Sequence, residues 1–309
     1  MEHYLVGKGI SVITAKRAGF CFGVKRAVDM AFAAAEANRN VYTLGPIIHN
    51  PQVIGRLKEK GVRPITSINN RSIKTLLIRT HGIPRDISEQ LASKRYAVID
   101  TTCPFVKKAQ QYAKLLRERG YQVVIIGDAG HPEVQGLMSY AGADALVLSR
   151  DMVMQGSAAW PALKPKVGVV VQTTQPVAVL KTFVHDAVDL VKELKVFNTI
   201  CNSTALRLKE TQDMAKKVDV MIVVGGRNSA NTTQLAAFCR SMSVPTHHIE
   251  TADEIRSAWF EGVTSVGITA GASTPDWIIA GAGQRVREIA KSRRGGEHEH
   301  ATERRNQRT

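Results

Sequence analysis

Three of the four cysteines stand at corresponding places in similar stretches of the chain. Cys21, Cys103 and Cys201 each follow an apolar stretch and precede a helical pattern, whereas Cys239 lies within the helical stretch AAFCRSM and is interpreted as a core residue. No Cys-x-x-Cys pair occurs, which disfavours zinc ribbons and ferredoxin-type cluster binding. Widely spaced cysteines in 309 residues do not indicate a disulfide framework either. If the three cysteines act chemically, the fold must bring them together.

A cysteine at the start of a helix is suited to metal binding. The positive end of the helix lowers the pKa of the thiol and so favours the thiolate. Pro104 directly after Cys103 is typical of the first helical position, which predicts Cys103 as the N-cap. Three thiolates would leave one iron of a four-iron cluster without a protein ligand, and this open position could bind a substrate oxygen.

Each cysteine belongs to a pattern that occurs three times. An apolar stretch runs into the cysteine, an amphipathic helix follows, and an apolar strand then ends in a polar loop; the second copy reads YAVIDTTC, PFVKKAQQYAKLLRERG and YQVVIIGDAGHPE. A short helix and a further strand complete each copy. This alternation predicts an α/β fold of three similar parallel-sheet α/β/α units, called repeats below, around a pseudo-threefold axis with a central iron–sulfur cluster.

The repeats also predict the division of the chain into domains. The first α/β unit covers residues 11–98, the second 99–195 and the third 196–290, with residues 1–10 as a candidate addition to the third. Residues 291–309 are predicted to form a basic disordered tail, because this segment is charged and poor in apolar residues.

The carboxyl ends of the strands predict the position of the site, because parallel α/β sheets bind ligands there. Cysteines, histidines, one acid and several hydroxyl or amide side chains occupy these positions. They are Cys21, Cys103, Cys201, His49, His81, His131, Glu133, Thr173, Thr174, Ser229, Asn231 and Ser273. By pattern alone the histidines could instead cap their loops, and the two threonines could cap the following helix.

Composition limits the class of ligand and the location. The chain has 42 basic and 27 acidic residues, a net charge of +15. Only 6% of the residues are aromatic, which gives poor support to a platform for single-stranded nucleic acid, so composition favours an anionic small molecule at least as much as nucleic acid. No apolar run approaches the roughly 20 residues of a membrane span, and the start of the chain does not read as a secretory signal. A soluble cytoplasmic protein without a membrane partner is expected.

Nine short strings of the sequence resemble the 4-hydroxy-3-methylbut-2-enyl diphosphate reductase (LytB/IspH) family. They are GFCFGVKRA, GPIIHNPQV, RTHGI, DTTCPFV, GHPEVQG, QTTQ, TICNST, NSANT and AGASTPDW. The strings occur in the order of the family and cover roughly residues 11 to 290. Each is weak alone, but nine in register are very specific.

The resemblance implies a role for each matching residue. The cluster ligands of a [4Fe–4S] centre with one open iron would be Cys21, Cys103 and Cys201. The phosphate-binding histidines would be His49, His81 and His131, with further diphosphate contacts from Ser229, Asn231 and Ser273. Glu133 would deliver a proton, with His131 beside it, and Thr173 would lie by the substrate hydroxyl.

The resemblance also implies the reaction and the partner. The family reductively removes the hydroxyl of 4-hydroxy-3-methylbut-2-enyl diphosphate at the open iron and forms isopentenyl and dimethylallyl diphosphate, the last step of the non-mevalonate pathway. Hydroxide is a poor leaving group, so an acid within hydrogen-bond reach is needed. The electron donor would be of the ferredoxin or flavodoxin type. Lys25 and Arg26 could help to dock it, but a solvated helix face is the preferred interpretation.

Two residues depart from the family pattern. Ala230 follows Ser229 where many members have a second serine, and Asn198 stands where aspartate is common.

Two other functions are kept as hypotheses. The second enzyme hypothesis is a three-cysteine iron–sulfur enzyme resembling quinolinate synthase, which the histidine and serine loops disfavour. The third is a basic nucleic-acid-binding protein, whose affinity would fall steeply with salt.

Overall fold

The computed structural model describes residues 2–4, 10–38, 40–68, 73–94 and 96–306. Residues 5–9 of the N-terminal segment and 307–309 of the predicted tail lie outside the described residues. The chain forms two compact units. The terminal unit comprises Met1–Cys21, His49–Val53 and Ser203–Thr309, and the central unit comprises Phe22–Ile48 and Ile54–Asn202.

Strands and helices alternate along the described chain, as the repeats predict. The strands are β1 Glu2–Tyr4, β2 Ser11–Thr14, β3 Val41–Leu44, β4 Val62–Ile65, β5 Thr75–Ile78, β6 Ala97–Asp100, β7 Gln122–Ile126, β8 Leu146–Leu148, β9 Lys166–Val171, β10 Glu193–Val196, β11 Val220–Val224, β12 Thr246–Ile249 and β13 Ser265–Ala270. The α-helices are α1 Phe22–Ala37, α2 Pro51–Glu59, α3 Arg85–Ala92, α4 Pro104–Glu118, α5 Pro132–Ala141, α6 Arg150–Met154, α7 Val177–Ala187, α8 Asn202–Ala215, α9 Ala230–Ser241 and α10 Asp276–Asn306. Short 3₁₀ helices occupy Ser157–Ala159, Ala252–Glu254 and Ser257–Phe260.

The strands form three sheets of the same design. The first has the order β4-β3-β5-β6, the second β8-β7-β9-β10 and the third β12-β11-β13-β2-β1. The first four strands in each of these orders run parallel, and β1 adds an antiparallel edge to the third sheet. The first and second sheets lie in the central unit and the third in the terminal unit. The predicted α/β class with three similar parallel sheets is confirmed.

The strand that leads into each cysteine differs from the predicted grouping. β6 pairs with β5 of the first sheet, β10 pairs with β9 of the second, and β2 pairs with β13 of the third. The sequence groups Ser11–Thr14 with the first repeat and places boundaries near residues 98 and 195, within or beside β6 and β10. Each lead strand therefore joins the sheet of a different repeat from its cysteine, because its ladder partner is β5, β9 or β13 rather than the strand that follows the cysteine.

Helices cover both faces of the second sheet and make it the middle layer of a sandwich. Val123 and Ile125 of β7 pack with α4 and α5, whereas Val124 and Ile126 pack with α7 around Phe183. This alternation follows from the two-residue period of a strand, and the continuous apolar run is what burial on both faces requires. The third sheet is covered in the same way, by α8 and α9 on one face and by α10 on the other.

Two further predictions concern helix ends. Cys103 is the N-cap of α4 and Pro104 its first residue, as predicted. Helix α10 extends to Asn306 and so continues through most of 291–309, where the sequence predicts disorder. The physical reason is that Arg and Glu, which make up eight of the 19 residues, are good helix formers, although such a charged composition is also typical of disordered tails.

None of the helices in the described ranges combines the length and apolarity that a membrane span needs.

Candidate functional site

The three cysteines share one backbone arrangement. The N–H of Cys103 donates to the carbonyl oxygen of Thr80 at 3.0 Å, that of Cys201 to Thr173 at 2.8 Å, and that of Cys21 to Ala272 at 3.3 Å. Each acceptor is the second residue after β5, β9 or β13, the strand that pairs with the strand leading into the cysteine, and a helix starts immediately after each cysteine. The fold therefore places the three thiols at equivalent points, each at a helix N-terminus beside the carboxyl end of a strand.

The short turn before the second and third cysteines is also repeated. The side-chain oxygen of Asp100 accepts a hydrogen bond from the N–H of Thr102 at 3.0 Å, and that of Asn198 accepts one from Ile200 at 3.2 Å. Asn198 departs from the family pattern in the sequence. Because the amide oxygen makes the same local contact as the carboxylate, the turn that carries Cys201 is kept.

Space around the sulfur of Cys103 depends on a glycine. A Cβ atom built on Gly23, in the first turn of α1, would lie only 2.5 Å from Cys103 Sγ. No disulfide joins Cys21, Cys103, Cys201 or Cys239, and the first three are partly accessible. Within the described ranges no group of three or more His, Cys, Asp or Glu side chains could hold a metal ion. A four-iron cluster spreads its thiolates more widely than one ion does, because each sulfur binds a different iron.

We expect Gly23→Ala to displace the Cys103 sulfur or the first turn of α1, since contacts below 3.0 Å are essentially never tolerated. Such overpacking should cost about 1–3 kcal/mol of unfolding free energy. Chemical denaturation measures this effect. Gly55→Ala in α2 is the control because its Cβ would enter open space. Equal behaviour of the two variants would contradict the packing role of Gly23.

A buried acid–threonine pair lies at the end of the second sheet. Glu133 is only 2% exposed and stands in the first turn of α5. Its Oε1 accepts a hydrogen bond from the N–H of Thr173 at 2.7 Å, and its Oε2 accepts one from Thr173 Oγ1 at 2.9 Å. The carbonyl of Thr173 in turn accepts from Cys201. The carboxyl group is thus held at two points next to the loop that supports a cysteine.

Burial controls the protonation of this carboxyl group. Loss of solvation raises the pKa of Glu133 from 4.5 to about 7, although both hydrogen bonds from Thr173 act in the opposite direction. Near neutral pH the group therefore exchanges a proton readily. A carboxyl group with such a pKa can serve as a general acid, whereas an exposed glutamate would be fully ionised.

The two predicted histidines of the central unit meet each other. The rings of His81 and His131 are 5.2 Å apart in an edge-to-face arrangement. His131 is the N-cap of α5, and its Nδ1 accepts a hydrogen bond from the N–H of Glu133 at 3.1 Å. A nitrogen that accepts carries no proton, so the neutral ring has its proton on Nε2 and can donate from there. Capping, which the sequence left open for His131, thus fixes both its tautomer and its orientation.

The remaining predicted residues lie in the terminal unit. Ser273 Oγ donates to the carbonyl oxygen of His49 at 3.2 Å. Ser229 is the N-cap of α9, and its Oγ contacts the N–H and the hydroxyl of Thr232 at 3.4 and 3.0 Å. The Nδ2 atom of Asn231 is buried and has no acceptor among the described residues. An amide donor in that state is available to an anionic ligand.

Three of these residues are positional equivalents. His49 is the fifth residue after Leu44, His131 the fifth after Ile126, and Ser229 the fifth after Val224. These are the ends of β3, β7 and β11, the second strand in the order of each sheet. The same loop of each repeat therefore supplies one polar side chain.

Two residues of this region were not predicted from the sequence. Gln172 is buried, accepts from the N–H of Asp128 at 2.9 Å and donates to Thr174 Oγ1 at 3.2 Å, so it ties the His131 loop to the Thr173 loop. Arg79, two residues before His81, has a buried Nε without an acceptor among the described residues, and burial lowers the pKa of its guanidinium. Their positions directly after β9 and β5 were the available signal.

A family model described as LytB protein matches residues 12–287 of the chain. The chain belongs to the LytB family. Among relatives of this LytB chain, a protein of Pelobacter propionicus is 51% identical over 280 residues, which cover 91% of this chain and 99% of the relative. A protein of Geobacter metallireducens is 50% identical over 280 residues, which cover 91% of this chain and 98% of the relative. Both relatives are named 4-hydroxy-3-methylbut-2-enyl diphosphate reductase.

Two solved structures of diphosphate reductases also resemble the LytB chain. A structure of (E)-4-hydroxy-3-methyl-but-2-enyl diphosphate reductase, described as the terminal enzyme of the non-mevalonate pathway, is 45% identical with a TM-score of 0.70 and covers 90% of this chain and 99% of its own. The E-1-hydroxy-2-methyl-but-2-enyl-4-diphosphate reductase from Plasmodium falciparum is 25% identical with a TM-score of 0.78, covering 89% and 86%. The predicted family, and the prediction that the chain is an oxidoreductase enzyme, are confirmed.

Proposed function

We propose that this LytB chain reductively removes the hydroxyl of 4-hydroxy-3-methylbut-2-enyl diphosphate and forms isopentenyl and dimethylallyl diphosphate, as the last step of the non-mevalonate pathway. Relatives at about half identity over nearly their whole length carry the name of this reductase. The observation that carries the proposal in the chain itself is the buried Glu133–Thr173 pair. Loss of a hydroxyl group needs a proton at the leaving oxygen, and burial keeps a substantial fraction of the Glu133 carboxyl groups protonated near neutral pH.

A [4Fe–4S] cluster held by Cys21, Cys103 and Cys201 is part of the proposal. The three thiols occupy equivalent positions at helix N-termini, where the helix dipole favours thiolates. The absence of a side chain at Gly23 lets the first turn of α1 lie against the sulfur of Cys103, while the three thiols stay partly accessible to a ligand. When bound, the cluster would supply single electrons and a Lewis acid for the substrate hydroxyl.

The side chains divide the remaining work between proton transfer and anion binding. Glu133 would hold the proton, and Thr173, bonded to it through Oγ1, would orient or relay it. His131 would donate from Nε2, since its Nδ1 is engaged by the backbone of Glu133. His49, His81, Ser229, Asn231 and Ser273 would complete the diphosphate contacts, and the buried amide of Asn231 supports this because it lacks an acceptor among the described residues. Charge-assisted bonds to phosphate oxygens would satisfy such donors.

The electrons would come from a carrier protein of the ferredoxin or flavodoxin type, and the reaction would take place in the cytoplasm. The net charge of +15 is compatible with an acidic carrier and with a trianionic substrate. The proposal includes neither nucleic acid nor membrane as a partner.

Anaerobic turnover of synthetic 4-hydroxy-3-methylbut-2-enyl diphosphate with reduced methyl viologen tests the proposal. The purified protein should be brown, contain about four iron atoms per chain and convert the substrate to the two diphosphate products. Iron analysis and product chromatography measure these outcomes. Full iron content without any conversion would overturn the proposed substrate, and conversion by iron-free protein would overturn the role of the cluster.

A further inference from the structure

Two phenylalanine rings next to cysteines are exposed. Phe22, directly after Cys21, is 67% exposed, and Phe105, two residues after Cys103, is 42% exposed. Phe22 has the highest value among the large apolar side chains of the described residues. A phenylalanine normally contributes more to stability when it is buried, so two exposed rings beside equivalent cysteines are candidates for a surface that contacts another molecule.

The two rings belong to helical turns that touch each other. Phe22 precedes Gly23, whose backbone lies against Cys103 at the start of α4. The guanidinium of Arg26, one turn further along α1, donates to the carbonyl oxygens of Thr102 and Asp100 at 3.3 and 3.4 Å. The first turns of α1 and α4 are therefore held together within the central unit, with an exposed ring on each. We call this region the Phe22–Phe105 face.

Charged residues lie near Phe22 and Phe105 in sequence, near the starts of α1 and α4 and just before α4, and basic ones outnumber acidic ones. The basic residues are Lys25, Arg26, Lys107 and Lys108, and the acidic ones are Asp29 and Asp100. Two of the lysines form exposed ion pairs with these carboxylates, at 2.9 and 2.7 Å. Arg26 bonds backbone carbonyls instead, and Lys108 has no carboxylate at ion-pair distance within the described ranges. Exposed pairs are weak, so these lysines stay available to a partner.

We propose that the Phe22–Phe105 face is the docking surface for a small acidic protein that carries one electron at a time. This inference rests on the proposed function, in which each substrate consumes two electrons and two protons. The C–O bond breaks, the hydroxyl leaves as water with one proton, and carbon gains the other. Two carrier molecules, each oxidised by one electron, supply the electrons in two successive dockings close to Cys103.

The composition of the face suits a transient complex of this kind. Two aromatic rings provide a small apolar centre, and the basic rim attracts an acidic partner and accelerates its encounter. Electron-transfer complexes bury little surface, which allows rapid release of the oxidised carrier. A second copy of this chain is disfavoured as the occupant because two basic faces repel each other. The proposal thus prefers for Lys25 the docking role that the sequence analysis placed second to a solvated helix face.

Kinetics with two reductants test the docking surface. Phe22→Ser with Phe105→Ser, and separately Lys25→Glu with Lys108→Glu, should raise the KM for a reduced acidic plant-type [2Fe–2S] ferredoxin about tenfold or more. Turnover with reduced methyl viologen, which needs no protein docking, should remain at the wild-type value. The charge-reversed variant should also lose most of the salt dependence of the ferredoxin reaction. Leu190→Ser with Lys181→Glu is the matched control and should change neither reaction. Lys181 is an exposed basic residue on α7, and Leu190 is an exposed apolar residue shortly after that helix.

Direct binding of ferredoxin, measured by calorimetry, separates this inference from the proposed function. If the wild type binds ferredoxin and both face variants do not, the docking surface is supported. This holds even if the protein converts no substrate with methyl viologen and the proposed reaction fails. An unchanged KM and unchanged affinity in the face variants would overturn it. A further result would also overturn the inference. If the wild type self-associates in sedimentation and the Phe22→Ser with Phe105→Ser variant does not, the occupant of the face is a second copy of the chain.

Discussion

Glu133→Gln should lower the turnover number by roughly 10²–10⁴-fold while the protein keeps its fold and its iron. Glutamine retains the shape of the side chain. Its oxygen can accept from the N–H of Thr173, and its amide can donate to Thr173 Oγ1, so both contacts of the wild type have a substitute. What disappears is the proton that the carboxyl group can release. Anaerobic kinetics with the diphosphate substrate measure the effect.

Glu118→Gln is the matched control for this variant, because Glu118 ends α4 on the exposed surface. It removes the same charge at a distance from the buried pair and should leave turnover unchanged. Normal turnover of Glu133→Gln would rule out Glu133 as the acid. A lowered thermal midpoint with partial turnover would instead indicate a structural role.

The same carboxyl group predicts a pH dependence with a defined sign. Because its pKa is raised to about 7, turnover that needs the protonated form should decline as the pH rises through about 7. Folding favours the protonated form, so its contribution to stability is complete below pH 4.5 and is lost as the pH rises to about 7. The loss should reach about 3 kcal/mol of unfolding free energy and be absent in Glu133→Gln. Denaturation at several pH values compares the two proteins.

Cys103→Ser should abolish stable iron binding and reduce turnover at least about 100-fold, since a serine hydroxyl is a poor substitute for a thiolate ligand. Serine is a favoured N-cap residue, so α4 should form at least as well as in the wild type. Loss of iron would therefore reflect lost ligation rather than a damaged helix. Iron analysis and the visible absorption spectrum measure iron binding, anaerobic kinetics measure turnover, and circular dichroism measures the helix content.

Cys239 offers the control for this experiment. It is a fully buried residue of α9, and burial raises the pKa of its thiol to about 11, so it stays protonated near neutral pH and is a poor metal ligand. Cys239→Ala should keep the full iron content. If Cys103→Ser also keeps its iron, Cys103 is not a cluster ligand.

The sequence predicts local features well where a residue type has one strong preference. Pro104 indicates the first position of α4 and hence the N-cap role of Cys103, which the structure confirms. The apolar run VVII indicates a strand buried on both faces, and β7 has that burial. In both cases the signal lies within a few residues of the feature, so tertiary context does not alter it.

Features that depend on distant residues could not be read in the same way. Nothing local shows that β6, whose residues lead into Cys103, pairs with β5 of the preceding repeat. The two-point contact of Glu133 with Thr173 joins residues 40 positions apart, and the raised pKa follows from the burial that this contact accompanies. The sequence could place both residues at strand ends but not against each other.

The pairing of β2 with β13 has a consequence for how the chain matures on the ribosome. Ser11 lies beside Ser265, so β2 finds its neighbour only after all the residues between the two strands have been synthesised. The first and second sheets contain only residues between 41 and 196 and can assemble earlier. Closure of the large loop between residues 11 and 265 is entropically slow, so we expect the last sheet to be the late step of biogenesis and the one most exposed to aggregation.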